Sequence, residues 1–388
     1  MNIAIVVSEP PCPSNTGGRI YTMKRIKMLK DMGHSIYLYG FKKDEELGNE
    51  LFELCECVKF YERNMNFTDN LLNILKPFTA YSRFSRLMLK DLEDDISTNN
   101  YDFIILDMPQ VYYNLPKSTK IPIIMSQHNI EYKTFVNIGK NSKKLTKKLA
   151  FIFEGIKLKY FENRIYKENR IDWYTFISSD DLKFFKKKFN KTNCSLIPFG
   201  YNSKVVEKDI ENNTIVFSGK MDYQPNIDAV IWFTKKVFPK IKKDINNVEF
   251  YIVGKNPTKE VRDLEQQGVI VTGTVPSVNE YIDKAKLIVI PLLSGGGVKI
   301  KLLEALGRNN VVVTTKKGIE GTEFKDKKHV LVSNIDEEFA NKCIEVLRNR
   351  EKFEYLTSNS LKIIEEKYSW ESIGKLYDNI LKELKGWN

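Results

Sequence analysis

The feature that most constrains this chain is a repeated alternation. Short apolar runs pass into polar or glycine-containing turns and then into stretches at helical spacing. NIAIVV (2–7), SIYLYGF (35–41), CVKFYE (57–62), DFIILD (102–107) and IPIIMSQH (121–128) form the first set. Runs that are apolar throughout, rather than at every second residue, suit strands covered on both faces, and parallel strands need a crossover helix between them. The first intervening segment, RIYTMKRIKMLKDMGH (19–34), has helical spacing and a Gly33 suited to end it. The alternation predicts a doubly wound α/β sheet with its functional groups at the C-terminal strand ends.

The pattern restarts after LIPFGYN (196–202), with TIVFSGK (214–220), VEFYIVGK (248–255), VIVTGTV (269–275), LIVIPLL (287–293), NVVVTT (310–315) and HVLVS (329–333) as strands. Amphipathic segments at 337–353 and 369–387 close the chain. With 388 residues, two domains are the natural division. The expected units are 1–198, 199–370 and a final helix 371–388 packing back on the first domain. Two such halves imply a ligand cleft between them, each sheet offering its C-terminal ends.

The longest apolar runs fall far short of the roughly 18 residues of a spanning helix, and the N-terminus lacks the basic start of a signal peptide, so a cytoplasmic home is expected. Five cysteines fit that compartment. Cys55 and Cys57 form a lone CxC without a second pair at metal-ligand spacing, and read as half-buried free thiols. The net charge of +11 suits anionic partners, but the charge is not interleaved with exposed aromatics in a nucleic-acid-binding module, and no nucleic-acid partner is expected. Basic residues cluster in 140–170, a solvated helix face or one attracted to an anionic membrane. Segment 68–92, apolar and basic at helical spacing and broken by Pro77, reads as a core-facing helix with a lysine rim; lining an acceptor channel or touching a membrane is the other reading.

Four constellations carry chemistry. Gly17 and Gly18 follow the first strand and open a helix, where a phosphate or sugar can approach backbone amides. A third glycine and a well-placed acid, which dinucleotide binding requires, are missing. Gln127, His128, Asn129 and Glu131 follow the fifth strand; His128 stands where an α/β sheet presents catalytic groups, whereas His34 and His329 close a helix and open a strand. Ser218-Gly219-Lys220 ends the first strand of the second half and suits a diphosphate. Finally, Gly295-Gly296-Gly297-Val298 leads through Lys299 and Lys301 into a helix carrying Glu304, so amides, helix dipole and two ammonium groups converge. Glu304 can accept two ribose hydroxyls with its two oxygens. The loop lacks the Gly-Lys-Ser/Thr ending of a nucleoside-triphosphate loop.

GKMDYQPNIDAVIWF (219–233), VTGTVPSVNEYIDKAKLIVIPLLSGGGVKIKLLEAL (271–306) and TTKKGIEG (314–321), in that order, resemble the nucleotide-binding domain of retaining glycosyltransferases of family four. SEPPCPSNTGGRIYTMKRIKMLKDMGH (8–34) and QHNIEY (127–132) resemble that family's acceptor-side segments. The resemblance implies the GT-B fold, two facing Rossmann-like domains with a donor/acceptor cleft between them. It makes Glu304 the ribose-binding second glutamate of the family's pair, and the glycines with Lys299 and Lys301 the donor-phosphate and sugar loop. It puts Gly18 at the donor phosphate, His128 at the reaction centre, and Thr274 and Val275 in the base-binding loop. Two departures stand out. Gly296 occupies the place of the first glutamate, which contacts donor-sugar hydroxyls, and Lys220 replaces the usual Arg, with the family's following lysine absent from MDYQPN.

The implied activity is retaining transfer of a sugar from a UDP- or GDP-type donor to a hydroxyl of a glycan, lipid-linked or other glycoconjugate acceptor, in cell-surface polysaccharide synthesis. His128 and Lys220 are the expected catalytic residues, and no metal or other cofactor is expected. DLEDD (91–95) lies in a helical run and reads as a solvated face rather than a metal site. A sugar-nucleotide epimerase of the same fold, or a degraded sugar-nucleotide-binding protein, are the alternatives.

Overall fold

The computed structural model describes residues 1–14, 16–42, 48–142, 144–205 and 212–386. Asn15 of the first glycine loop, Lys143 of the basic run and Trp387 of the sequence-predicted closing segment 369–387 lie outside these. The chain forms two compact units, Met1–Pro198 with Ile373–Asn388, and Phe199–Ser372.

The first unit is built on seven parallel strands: β1 (Asn2–Val7), β2 (Ser35–Phe41), β3 (Cys57–Tyr61), β4 (Phe103–Asp107), β5 (Ile123–Gln127), β6 (Trp173–Phe176) and β7 (Cys194–Leu196), in the order β3-β2-β1-β4-β5-β6-β7. The chain winds outward from β1 to β3, returns, and winds outward again from β4, so the strand order reverses between β1 and β4. Ile3, Ile5, Ile104, Leu106, Ile124 and Met125 are fully buried, as strands covered on both faces require. The short β6 and β7 had no counterpart among the sequence-predicted strands. Their core is aromatic, with Phe185 within 5.1 Å of the Tyr166, Tyr174 and Phe176 ring centroids. Ile373, Tyr377 and Leu381 of the C-terminal helix are buried in this unit, and Gly374 brings the helix backbone close against Met28 and Met32.

Segment 68–92 is not one core-facing helix. It is divided among helices Phe67–Leu72, Phe78–Tyr81 and Arg86–Asn99. The first helix stops at Leu72 with Asn73 as C-cap, Pro77 N-caps the second, and Leu71, Leu72, Ile74 and Leu75 are exposed; Met88 and Leu92 supply the burial. The acids of 91–95 are likewise more than a solvated face. Asp91 accepts from the Tyr61 hydroxyl and Asp95 from that of Tyr39, both at 2.6 Å, so two of them satisfy hydroxyls rising from the sheet.

The second unit holds six parallel strands, β8 (Thr214–Ser218), β9 (Glu249–Val253), β10 (Val269–Gly273), β11 (Leu287–Ile290), β12 (Val312–Thr314) and β13 (Leu331–Val332), in the order β10-β9-β8-β11-β12-β13. Here the order reverses between β8 and β11, so the loops after these two strands flank the natural binding crevice of the sheet. Among the described residues, no helix is long and apolar enough to cross a membrane.

Candidate functional site

In the second unit the loops after β8 and β11 converge on one ammonium group. Lys301 stands at the start of the helix Ile300–Gly307. Its Nζ donates to Asn226 Oδ1 at 2.9 Å and lies 4.0 Å from the Phe217 ring centroid. Asn226 Nδ2 in turn donates to the Lys220 carbonyl at 2.8 Å. A Cβ on Gly219 would meet Lys301 Nζ and Asn226 Nδ2 at 2.7 Å each, so any larger residue there would push this pair away from the β8 end. Gly254, at the end of β9 with φ +151°, would put a Cβ 1.7 Å from the Gly219 carbonyl oxygen. Two glycines therefore hold the ends of β8 and β9 in contact. Burial pushes the Lys301 ammonium down to about 7, Glu304 opposing and Lys299 adding to the effect.

The glycine loop owes its shape to left-handed conformations at Gly295 (φ +105°) and Gly297 (φ +69°). Gly295 passes over Pro225, whose carbons lie 3.3–3.4 Å from where a Cβ would stand. The two lysines that sequence spacing treats alike differ here. Lys299 is 8% exposed and turns back, its Nζ donating to the Gly296 carbonyl at 3.2 Å and to that of Gly297. Burial lowers it to about 8, with Glu320 opposing and Lys317 adding. Lys299 thus fastens the loop, while Lys301 faces the end of β8. Glu304, one turn on, is largely buried; burial raises its carboxyl, and Lys301 and Arg308 counter that. Arg308 is held in turn by a two-pronged bridge to Asp283, one arm at 2.7 Å.

Lys220 has an exposed side chain beside this group. Thr274, exposed, and Val275, half-buried, follow β10 at the sheet edge. That strand is two positions out from β8, about 10 Å at sheet spacing, so these residues are not gathered into the Lys301 cluster.

In the first unit the ends of β1, β4 and β5 hold a second constellation. Gly17 opens the helix Gly17–Asp31, whose N-cap Thr16 makes no side-chain capping hydrogen bond. A Cβ on Gly18 would lie 3.5 Å from His128 Nδ1. The other ring nitrogen, Nε2, is 2.9 Å from Asp107 Oδ1. Asp107 also pairs with Arg25 at 2.9 Å and accepts from Thr22 Oγ1 at 2.6 Å; Arg25 donates to Ser126 Oγ at 2.8 Å. Burial alone would raise the Asp107 carboxyl, but Arg25 first and then His128 hold it far below the usual carboxylate range. An ionised Asp107 accepts from His128 Nε2, and Nδ1 is the ring nitrogen that faces Gly18. The Tyr21 ring packs edge-on against the imidazole at 5.0 Å.

Glu131 has a different environment. It is buried, bonded to Gln110 and Asn129, and burial, then Glu162, push its carboxyl up to about 8. Glu162 accepts from the Glu131 and Tyr132 amides at 3.0 Å each and so caps that helix start. Gln127 is buried, and neither of its amide atoms has a hydrogen-bond partner among the described residues. Sequence reasoning missed Asp107, Arg25 and Asn226. Asp107 had a usable signal, a lone acid closing an apolar strand, whereas Arg25 and Asn226 sit in helices among many Arg, Lys and Asn residues.

Residues 212–349 match the family described as glycosyl transferases group 1. Over its whole length the chain is similar to an uncharacterized 44.6 kDa protein in the cps region of Klebsiella pneumoniae, with 26% identity over 98% of this chain and 99% of that one. Sucrose-phosphate synthase from Thermosynechococcus elongatus shares the fold at a TM-score of 0.70 and 14% identity, covering 100% of both chains. The Anabaena protein HepE in complex with UDP does so at 0.63 and 12%, covering 99% of this chain and 100% of that one. Two Rossmann-like parallel-sheet units give this chain a GT-B fold, and its second unit matches the glycosyl transferases group 1 family over residues 212–349.

Proposed function

We propose that the protein is a retaining glycosyltransferase that moves a sugar from a nucleoside-diphosphate donor, of the UDP type, to a hydroxyl of a glycan or lipid-linked acceptor in polysaccharide synthesis. The observation that carries this reading is the Lys301 ammonium set against Gly219 at the C-terminal end of β8, beside β11, where the strand order reverses and after which the glycine loop follows. A diphosphate placed there meets Lys301, Lys220 and the amides of 295–299. These groups stabilise the negative charge that grows on the leaving diphosphate without reorganising as it forms. Glu304 accepts the ribose hydroxyls, and Thr274 and Val275 lie toward the base.

In this mechanism the acceptor attacks from the face the diphosphate leaves, and a departing phosphate oxygen takes the hydroxyl proton. Lysines and amides supply the positive charge, so no metal is required. His128, whose Nδ1 faces Gly18, is the first unit's group for hydrogen-bonding a sugar hydroxyl. The cps location of the Klebsiella relative and the crystallisation of HepE with UDP and with UDP-glucose support the pathway and the donor class. A lipid-linked acceptor places the reaction at the inner face of the cell membrane.

Thermal-shift screening against UDP, GDP and their sugars tests the donor. UDP is expected to raise the melting temperature and GDP to do so less. Incubation with UDP-sugars, with and without EDTA, tests the chemistry: slow donor hydrolysis unaffected by chelator is expected. Interconversion of UDP-sugars instead would identify an epimerase, and UDP binding without any turnover a degraded binding protein.

A further inference from the structure

The helix Leu145–Lys167 carries Leu145, Leu149, Phe153, Ile156 and Tyr160 on one face, spaced by four, four, three and four residues. They are 68, 60, 49, 47 and 74% exposed. Fifteen residues of helix make this stripe about 22 Å long. The opposite face is committed to the first unit through Leu158, Phe161 and Ile165, which are buried. The hairpin with helix Glu131–Asn141 is close-packed, with Gly155 against Val136 and Gly139 against Ile152, so the preceding helix does not cover the stripe.

A second apolar group is fastened beside it. Lys157 Nζ donates to the Lys76 carbonyl at 3.1 Å, and the Thr79 amide donates to Glu154 Oε1 at 3.0 Å. These bonds hold the segment bearing Leu71, Leu72, Ile74 and Leu75, which are 55, 84, 50 and 83% exposed, next to the middle of the long helix. Exposed apolar residues scattered singly are ordinary; a gathered set of this kind marks an interaction surface.

The charge around it selects the occupant. Between Glu131 and Glu154 the sequence contains no acid. Lys140, Lys144, Lys147 and Lys148 are exposed around the tip of the hairpin, and Lys159 is exposed farther along. Glu154 is already paired with Lys157 at 2.7 Å. A second copy docking face to face would set lysine against lysine. An anionic lipid surface accepts both the ammonium heads and the apolar stripe, the lysine stems reaching up to the headgroups.

We propose that the exposed stripe of helix Leu145–Lys167, with the adjoining leucines of 71–75 and the lysines of the hairpin tip, docks the protein onto an anionic lipid bilayer surface. This surface lies outside the groups assigned to the donor, so docking and donor binding are separately measurable.

The test is flotation with vesicles of about equal phosphatidylglycerol and phosphatidylcholine, against vesicles of phosphatidylcholine alone, using the full chain. Binding to the anionic vesicles, weakened by salt, is expected. Leu149→Glu with Phe153→Glu is expected to cut it by about ten-fold or more, since two apolar insertions become charged. Lys144→Glu with Lys148→Glu is expected to abolish the preference for anionic vesicles. The UDP-induced melting shift of both variants should match that of the unaltered protein, which also shows that they fold. No flotation on anionic vesicles, or flotation of the Leu149/Phe153 variant equal to the unaltered protein, would overturn the proposal. A dimer in sedimentation velocity that this variant dissolves would instead assign the stripe to a second copy.

Discussion

If the proposed diphosphate site is correct, UDP binding is expected to be linked to a proton on Lys301. Its ammonium is buried against the Phe217 ring with Asn226 as its acceptor, and burial holds it at about 7. At pH 8 about 0.9 of Lys301 is then neutral in the unliganded protein. A diphosphate beside it restores the charged form, so binding takes up that proton. For a lysine fully protonated in the complex, affinity for UDP falls about fifty-fold between pH 7 and pH 9, equivalent to about 2.3 kcal/mol. The unliganded fold responds in the opposite sense. The unfolded chain holds this proton up to about 10.4 while the folded chain has lost it above about 7, so the Lys301 contribution to stability rises with pH across that window. Calorimetry of UDP binding at pH 8, in two buffers of different ionisation enthalpy, reads the proton count directly. Lys301→Met should bind UDP weakly and lose most of the uptake, the remainder reporting on Lys299. Uptake below about 0.1 proton with undiminished UDP affinity, together with normal binding by Lys301→Met, would refute the reasoning.

Glu304→Gln keeps the shape but not the charge of the proposed ribose acceptor, and UDP affinity measured by calorimetry should drop about ten- to a hundred-fold, the range for charged hydrogen bonds. Asp107→Asn leaves Arg25 buried without its counter-charge and should lower unfolding free energy in denaturant titration by about 3–5 kcal/mol. The Asp107 contribution persists down to the ordinary carboxylate range and fades only as pH falls below it, because the folded carboxyl is depressed. Glu131→Gln should act in reverse. The folded Glu131 carboxyl keeps its proton to about 8 while the unfolded one loses it near 4.3, so its stability contribution is lost as pH rises between those values. Melting temperatures at pH 5 and pH 8 should show the variant gaining on the unaltered protein at the higher pH.

The long apolar strands were legible because burial on both faces writes an uninterrupted run; β1, β2, β8 and β11 each carry one. WYTF and CSL were not, being only four and three residues long between polar stretches of sequence, nor was the exposed course of 68–92, whose leucines read as core by type alone. At the site, strand-end position pointed to His128 and the glycine-to-helix junction to Glu304. Their partners were out of reach, since Asp107 is 21 residues from His128 and Asn226 is 75 from Lys301. Spacing also could not separate Lys299 from Lys301. Two residues apart at a helix start, one turns into the loop carbonyls and the other into the β8 end, and only the fold of the glycine loop decides which.

The first unit is assembled from two stretches far apart in sequence, Met1–Pro198 and Ile373–Asn388. Tyr21, Met28 and Met32 therefore meet Tyr377 and Gly374 only after the helix Trp370–Lys385 has been synthesised. Until then the nascent first unit has its sheet but not its final helix, and the second unit emerges complete in between. Deleting residues 373–388 would spare every residue proposed to bind the donor. It would still strip cover from the helix that presents Gly18, so late truncations are expected to yield chains that bind UDP yet are readily degraded by proteases.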